Sequence, residues 1–509
     1  MRKRMPTGQP DILSPRPLGR GTLLRATLAT GAVAVLAACG TGVRGVAGTA
    51  PTPNVAWTPP RRSVAPPQPA PAPELTPDLA NRIAQLTLTD VIDIALRNNT
   101  ATSAAWADAR SAAASYGAAK GQYFPTVTAD GTAQAIKRIA SGGVGSAKQQ
   151  SFGPSLNVSW LLLDFGGRSG SIGEAREALL AADWTHNATL QTVVLGVQQA
   201  YFLYMGTKAL LDAQRTTLTE AQQNLDAAEQ RHRVGLATIA DVLQAKTALS
   251  QAQLALESTQ GDLQTTRGAL ALSMGLPANV PYDIAVSPDT TVPLGIVESV
   301  DTLIARATRE RPDLAAQRAL AEQARARVSV ARSLALPALS VGGTANQTYF
   351  VHNPPTAPPP NGNGYTATLT LSIPIFSGWS QIYDVKAASA AADAAALRAQ
   401  GFEQQVIYQV FNAYYALRTS TQLVRTSRDL LASATESEQV ALGRYKAGAG
   451  SLLDLLTAQA ALASARAQAI QARFSWNTAL AQLAHDVGIL GLDGTSPLKV
   501  QSDTTGTGR

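Results

Sequence analysis

Arg231-His232-Arg233-Val234-Gly235-Leu236, followed by Asp241-Val242-Leu243, decides how this chain is read, because it recurs as Arg444-Tyr445-Lys446-Ala447-Gly448-Ala449 with Asp454-Leu455-Leu456. Each copy ends a helix on basic residues and a glycine stop, then starts another on an aspartate. Working outward, the likeness continues at an offset of about 212. Phe124-Pro125 with Gly131-Thr132-Ala133 matches Leu336-Pro337 with Gly343-Thr344-Ala345. Phe165 and Gly167 match Phe376 and Gly378, and Ala200-Tyr201-Phe202 matches Ala413-Tyr414-Tyr415. An interval that long is a duplicated domain-sized half, not a solenoid unit.

Proline spacing supports long helices around both turns. Pro154 to Pro277 and Pro374 to Pro497 each enclose 122 residues without proline. Proline inside a helix costs ~3 kcal/mol, so such windows permit unbroken helices. Leu190, Val194, Val197, Tyr201, Tyr204, Leu211, Leu218 and Leu225 follow a 3-4 alternation. Ile407, Val410, Tyr414, Leu417, Val424, Leu431, Leu442 and Tyr445 repeat it. Such stripes pack in coiled-coil fashion, although Lys208, Arg215 and Arg428 interrupt them. The spacing predicts helices over about 168–234 and 379–446, with returns to about Met274 and Val487. At ~1.5 Å per residue the first is ~100 Å long. Shorter helices are expected over about 89–121 and 300–335.

Between the short and long helices lie period-two segments. Thr366–Pro374 and Ser155–Trp160 alternate polar and apolar, with Pro125–Ala135 and Pro337–Tyr349 as their partners. Loops at Ser141–Gln150 and Asn353–Gly364 join each pair. Alternation of this kind marks a transmembrane β-barrel strand. Four strands cannot close a barrel, and an open edge cannot face lipid, so the chain must oligomerise. Eight strands enclose an interior that side chains fill, which makes three copies the smallest assembly with a pore.

The front end reads as an address. A basic stretch precedes the apolar run Ala26–Ala38, which is too short for a transmembrane helix and suits a signal peptide. The run ends Leu36-Ala37-Ala38-Cys39-Gly40 and resembles a lipobox, which implies lipidation of Cys39. The chain has one cysteine, so no intrachain disulfide is possible. Residues 51–77 hold ten prolines and read as an extended tether. Of the net charge of +7, residues 1–38 carry +5, leaving about +2, too little to grip nucleic acid. Four scattered histidines offer no metal-ligand spacing, and no catalytic constellation is present. The chain thus divides into a signal peptide (1–38), a lipidated tether (39–84), a first repeat (85–290), a second repeat (291–490) and a tail (491–509).

The twin turns, the Phe165-Gly166-Gly167 and Phe376-Ser377-Gly378 junctions and the lipobox resemble the lipoprotein branch of the TolC family over about residues 85–490. The resemblance implies an α+β membrane protein: a trimeric twelve-stranded outer-membrane barrel continued by a long α-helical coiled-coil periplasmic barrel. It implies a mixed belt near Ala278–Glu298 and the C-terminus. It implies a passive channel with no enzyme activity and no cofactor beyond the Cys39 lipid, fed by an adaptor protein and an inner-membrane pump. The gate maps to Asp454, with Thr457 where some members carry a second acid. Asp241 and Tyr445 map to positions that tie the helix pairs shut. Gly235, Leu236, Gly448 and Ala449 form the turns an adaptor would touch. Asp454 and Asp241 equally suit helix caps, and His232 suits an exposed turn as well as a pH sensor. A lipid-anchored coiled coil without a pore is the alternative. The exported substrate is not legible; four methionines argue only against a methionine-rich copper site.

Overall fold

The computed structural model describes residue 83 and residues 85–139, 146–285, 292–352, 361–491 and 500–503. Cys39, the signal peptide and the proline tether lie outside these residues. The elements run α1 (Leu88–Asn98), α2 (Thr100–Lys120), β1 (Thr126–Ile139), β2 (Ser146–Leu163), α3 (Gly167–Arg233) and α4 (Ile239–Ser273). The second half runs β3 (Val292–Ile296), α5 (Val300–Glu310), α6 (Pro312–Ser333), β4 (Ala338–His352), β5 (Asn361–Ser372), α7 (Ser380–Lys446), α8 (Leu452–Val487) and β6 (Val500–Asp503). Both α3 and α7 have 67 residues, in line with the predicted spans of about 168–234 and 379–446.

The shorter helices depart from expectation. Each is a pair, not one rod. Asn99 ends α1 and caps α2, its side chain accepting from Ala101 N–H at 2.8 Å. The equivalent break falls at Arg311, held extended at φ −71 and ψ 120 because Pro312 follows. The Arg311 guanidinium is buried there, donating to both Asp313 carboxylate oxygens at 2.9 and 2.7 Å and to Asp486 O at 3.2 Å. The strands also exceed their predicted spans: β2 extends through residues 146–150 and β5 through 361–364, at the expense of the expected loops.

All pairings within the four-stranded sheet are antiparallel, in the order β1-β2-β4-β5. The helices follow the same lateral order, α2 on α3, α3 on α6, α6 on α7. Beyond them, α3 and α4 form one hairpin and α7 and α8 another, with α8 also packed on α3. Near mid-length of the long helices sits the main core. There Val194, Val197, Tyr201 and Tyr204 of α3 share one core with Val406, Val410 and Leu417 of α7 and with residues of α1, α5 and the end of α8. Ile407 of the predicted stripe is instead 37% exposed, and Val406 takes its place inside. The short β3–β6 pair lies beside α7.

Candidate functional site

Two regions carry the functional reading, the sheet and the hairpin tips. The register puts Val127, Ala129, Gly131 and Ala133 of β1 on one face with Leu156, Val158 and Trp160 of β2. Val341, Gly343 and Ala345 of β4 and Tyr365, Ala367, Leu369 and Leu371 of β5 complete that face. The opposite face is Thr128, Asp130 and Thr132, then Ser155 and Asn157, then Thr344 and Asn346, then Thr366, Thr368 and Thr370. Polar side chains are linked across it: Asn157 donates to Asp130 Oδ2 at 2.6 Å and accepts from Thr344 Oγ1 at 2.8 Å. The chain leaves the apolar face bare, with Tyr365 90% and Leu369 67% exposed. A one-layer sheet with one oily and one hydroxyl-rich side separates lipid from water. Among the described residues no helix is long and apolar enough to cross a membrane.

The two tips have the same backbone. Helix α3 ends with Gly235 at φ +78, Gly235 N–H donating to His232 O and Leu236 N–H to Arg231 O. Helix α7 ends with Gly448 at φ +71, Gly448 N–H donating to Tyr445 O and Ala449 N–H to Arg444 O. These are Schellman stops, which glycine allows because its φ is positive. Reciprocal capping boxes then start the return helices, Thr238 with Asp241 and Ser451 with Asp454. Both aspartates therefore do serve as caps. Asp241 receives Thr238 N–H and O–H, each at 2.8 Å. Asp454 receives Ser451 N–H at 3.3 Å. Thr457 O–H donates to Leu453 O at 2.8 Å and is exposed. Gly235 and Leu236 project outward, and Leu236 is 78% exposed. The His232 ring donates from Nδ1 to Ala237 O at 2.9 Å, the role of a turn residue.

What joins the tips was not legible. Tyr445 is buried against Leu225, Ala228, Ala245, Leu452 and Leu455. Arg231 reaches it from the other hairpin, its guanidinium 4.2 Å from the ring centroid and Nη2 donating to Tyr445 O at 3.0 Å. The motif contained both residues, but no spacing rule pairs an arginine with a tyrosine 214 residues away. Further from the tips a polar layer was missed too. Asn224 donates to Gln459 at 2.5 Å, Gln459 to Glu438 at 3.3 Å, and Arg466 meets Glu220 at 3.2 Å.

The stripe-breaking Lys208 also gains a reason. Its ammonium binds both oxygens of Asp283, at 2.9 and 2.8 Å, and Tyr204 O–H donates to the same carboxylate at 3.2 Å. Burial pushes the Asp283 carboxyl up, but Lys208, Ile284 N–H and Tyr204 O–H outweigh it and hold it below its ordinary value. Burial and the Asp283 charge push Tyr204 up to about 12.

The chain matches the outer membrane efflux protein family over residues 91–276 and 303–488, two segments that begin 212 residues apart. It is 28% identical to protein CyaE of Bordetella pertussis over 83% of this chain and 88% of that one. It is 25% identical to the probable efflux pump outer membrane protein TtgC of Pseudomonas putida, over 75% and 80%. The fold is similar to that of the outer-membrane channel OprN, with a TM-score of 0.69 at 19% identity over 80% of this chain and 90% of OprN. It is equally similar to the outer membrane protein VceC of Vibrio cholerae, with a TM-score of 0.69 at 18% identity over 79% and 96%. With two matched halves, a two-faced sheet and paired hairpins, the chain belongs to the outer membrane efflux protein family and is a channel subunit of the outer membrane that extends into the periplasm.

Proposed function

We propose that three copies join edge to edge into a twelve-stranded barrel and a helical tunnel, anchored in the outer membrane by lipid on Cys39. The observation that carries this reading is the two-faced sheet with both edges open. Closing twelve strands hides the edges, turns the hydroxyl face into a lumen and leaves room for solute. The tunnel does no chemistry. An inner-membrane pump and a periplasmic adaptor deliver substrate, the adaptor touching the turns at Gly235–Leu236 and Gly448–Ala449. No cofactor or nucleic acid takes part.

The tips form the gate in this reading. Asp454, beyond capping α8, contributes three symmetry-related carboxylates around the axis, which attract cations and repel anions. Thr457 adds no charge, so the constriction relies on one acidic ring. The test is single-channel conductance of the purified protein in planar bilayers, wild type against Asp454→Ala. Small cation-selective steps that lose cation preference in the variant are expected. Unchanged selectivity removes Asp454 from the gate. Absence of conductance from an intact oligomer of either protein would favour a coiled coil without a pore.

A further inference from the structure

Asp130 is the only acidic residue in strands β1, β2, β4 and β5. It stands on the hydroxyl face, opposite Ser155 and between Thr128 and Thr132. The basic residues of these strands, Lys137, Arg138, Lys148 and His352, all lie toward the other end of the sheet. His352 pairs with Gln150, which pairs with Ala135. Even the nearest is therefore about five register positions beyond Asp130, ~16 Å, which exceeds the Debye length of ~10 Å at 0.1 M salt. Toward the helices, Arg168 and Asp164 pair with each other at 3.5 Å.

The partners of this carboxylate hold it without neutralising it. Oδ2 accepts from Asn157 Nδ2 at 2.6 Å and from Thr128 Oγ1 at 3.3 Å, and Thr344 Oγ1 donates to Asn157 Oδ1 at 2.8 Å. Every donor is neutral, so this chain across β1, β2 and β4 fixes where the charge stands and cancels none of it. Among the described residues none donates to Oδ1. The repeat shows that the charge is not a requirement of the sheet. The image of Asp130 in the second half is Gly342, where an added Cβ would find Val158 O at 3.9 Å and nothing closer. That half has room for a side chain and carries none, so each chain supplies one charge.

We infer that Asp130 is a charge filter inside the barrel, where three copies of its carboxylate draw cationic solutes in and hold anionic ones back. It is separate from the tip, because the length of α7, ~100 Å, lies between Asp454 and the sheet. Twelve strands spaced ~4.8 Å and tilted ~40° enclose a backbone radius of about 12 Å. Across that width three charges bias traffic without blocking it. The bias is set by a residue that the Asp130–Asn157–Thr344 bonds keep in one place.

This inference rests on the trimeric barrel proposed above, so oligomeric mass and local charge are measured together. With the tip shut, nearly all of an applied voltage falls there, so the barrel is read by chemistry inside it. Thr132→Cys sets a thiol two residues from Asp130 on the same face, ~7 Å away. The purified full-length protein is treated with trimethylammonioethyl or sulfonatoethyl methanethiosulfonate, which carry opposite charges on one reactive group. The chain without the new cysteine controls for Cys39. A unit charge ~7 Å away changes the ratio of cationic to anionic labelling about threefold at 0.1 M salt and hardly at all at 1 M. The ratio should therefore fall about threefold when Asp130→Asn, which keeps an acceptor for Asn157, or Asp130→Ser is added, and should stay high with Asp130→Glu. An unchanged ratio in protein of trimeric mass, or a fall as large at 1 M salt, overturns the filter and leaves the barrel standing. Loss of the trimer from both neutral variants would make the carboxylate a tie between strands, and overturns the filter too. A mass other than three copies for the Thr132→Cys protein overturns the barrel, and the filter with it.

Discussion

Arg231 and Tyr445 show what a single contact does at the tip. The guanidinium stacks on the ring and also donates to the Tyr445 carbonyl, and neither interaction needs the phenol oxygen. If the tips gate the channel as proposed, Tyr445→Phe should conduct like wild type, whereas Arg231→Ala should weaken the contact between the tips by ~1–2 kcal/mol and raise the open fraction in single-channel records. The Lys208–Asp283–Tyr204 group sets a pH limit. The folded carboxyl sits below its ordinary value, so its stabilisation is complete above the unfolded pKa of about 3.9 and disappears as pH falls through the folded value. Asp283→Asn should lower the melting temperature at pH 7, and the gap to wild type should close in melts below about pH 4. Lys208 was visible in the sequence only as an interruption. Its partner lies 75 residues away, beyond the reach of any local pattern.

Among elements, the long helices were legible because proline cannot hide in them and their stripes hold one period for nine turns or more. Of the two short helices, the second announces its break with Pro312, whereas the first hides it, because Asn99 has no proline beside it and looks like an ordinary polar position. Only its extended backbone and the bond to Ala101 N–H reveal it. Strand ends failed for a related reason: serine, lysine and glutamine at residues 146–151 resemble loop, but cross-strand pairing carries the hairpin through them. The caps yield a clean separation of roles for Asp454. Ser451→Ala removes the hydroxyl that accepts from Asp454 N–H at 3.1 Å and leaves the carboxylate in place. It should cost about 1 kcal/mol in thermal or denaturant unfolding with cation preference intact. A loss of preference equal to that of Asp454→Ala would instead tie selectivity to helix geometry.

For the whole molecule, the two sides of the sheet make opposite predictions for one kind of substitution. Ala367→Arg, at mid-strand on the apolar face, should cost ~2–4 kcal/mol per copy near the bilayer midplane and deplete the protein from outer-membrane fractions. Thr368→Arg on the hydroxyl face should assemble normally and shift reversal potentials toward anions. Fold class and oligomeric logic were readable because period two and an open edge are properties of sequence alone. The pairing of the tips and the polar layer were not, since both arise where two distant hairpins cross.

The uneven distribution of core along the long helices has a mechanical consequence. Packing is dense at mid-length, where α1, α5 and the end of α8 clamp α3 and α7, and sparse at the tips, where six buried side chains meet. The hairpins are therefore levers hinged at a stiff fulcrum. From Lys208 to Arg233 a helix rises ~38 Å, so a swing of about 5° at the fulcrum carries the tip ~3 Å. A small torque applied near mid-length is thus geared up into travel at the tip comparable to the width of a side chain.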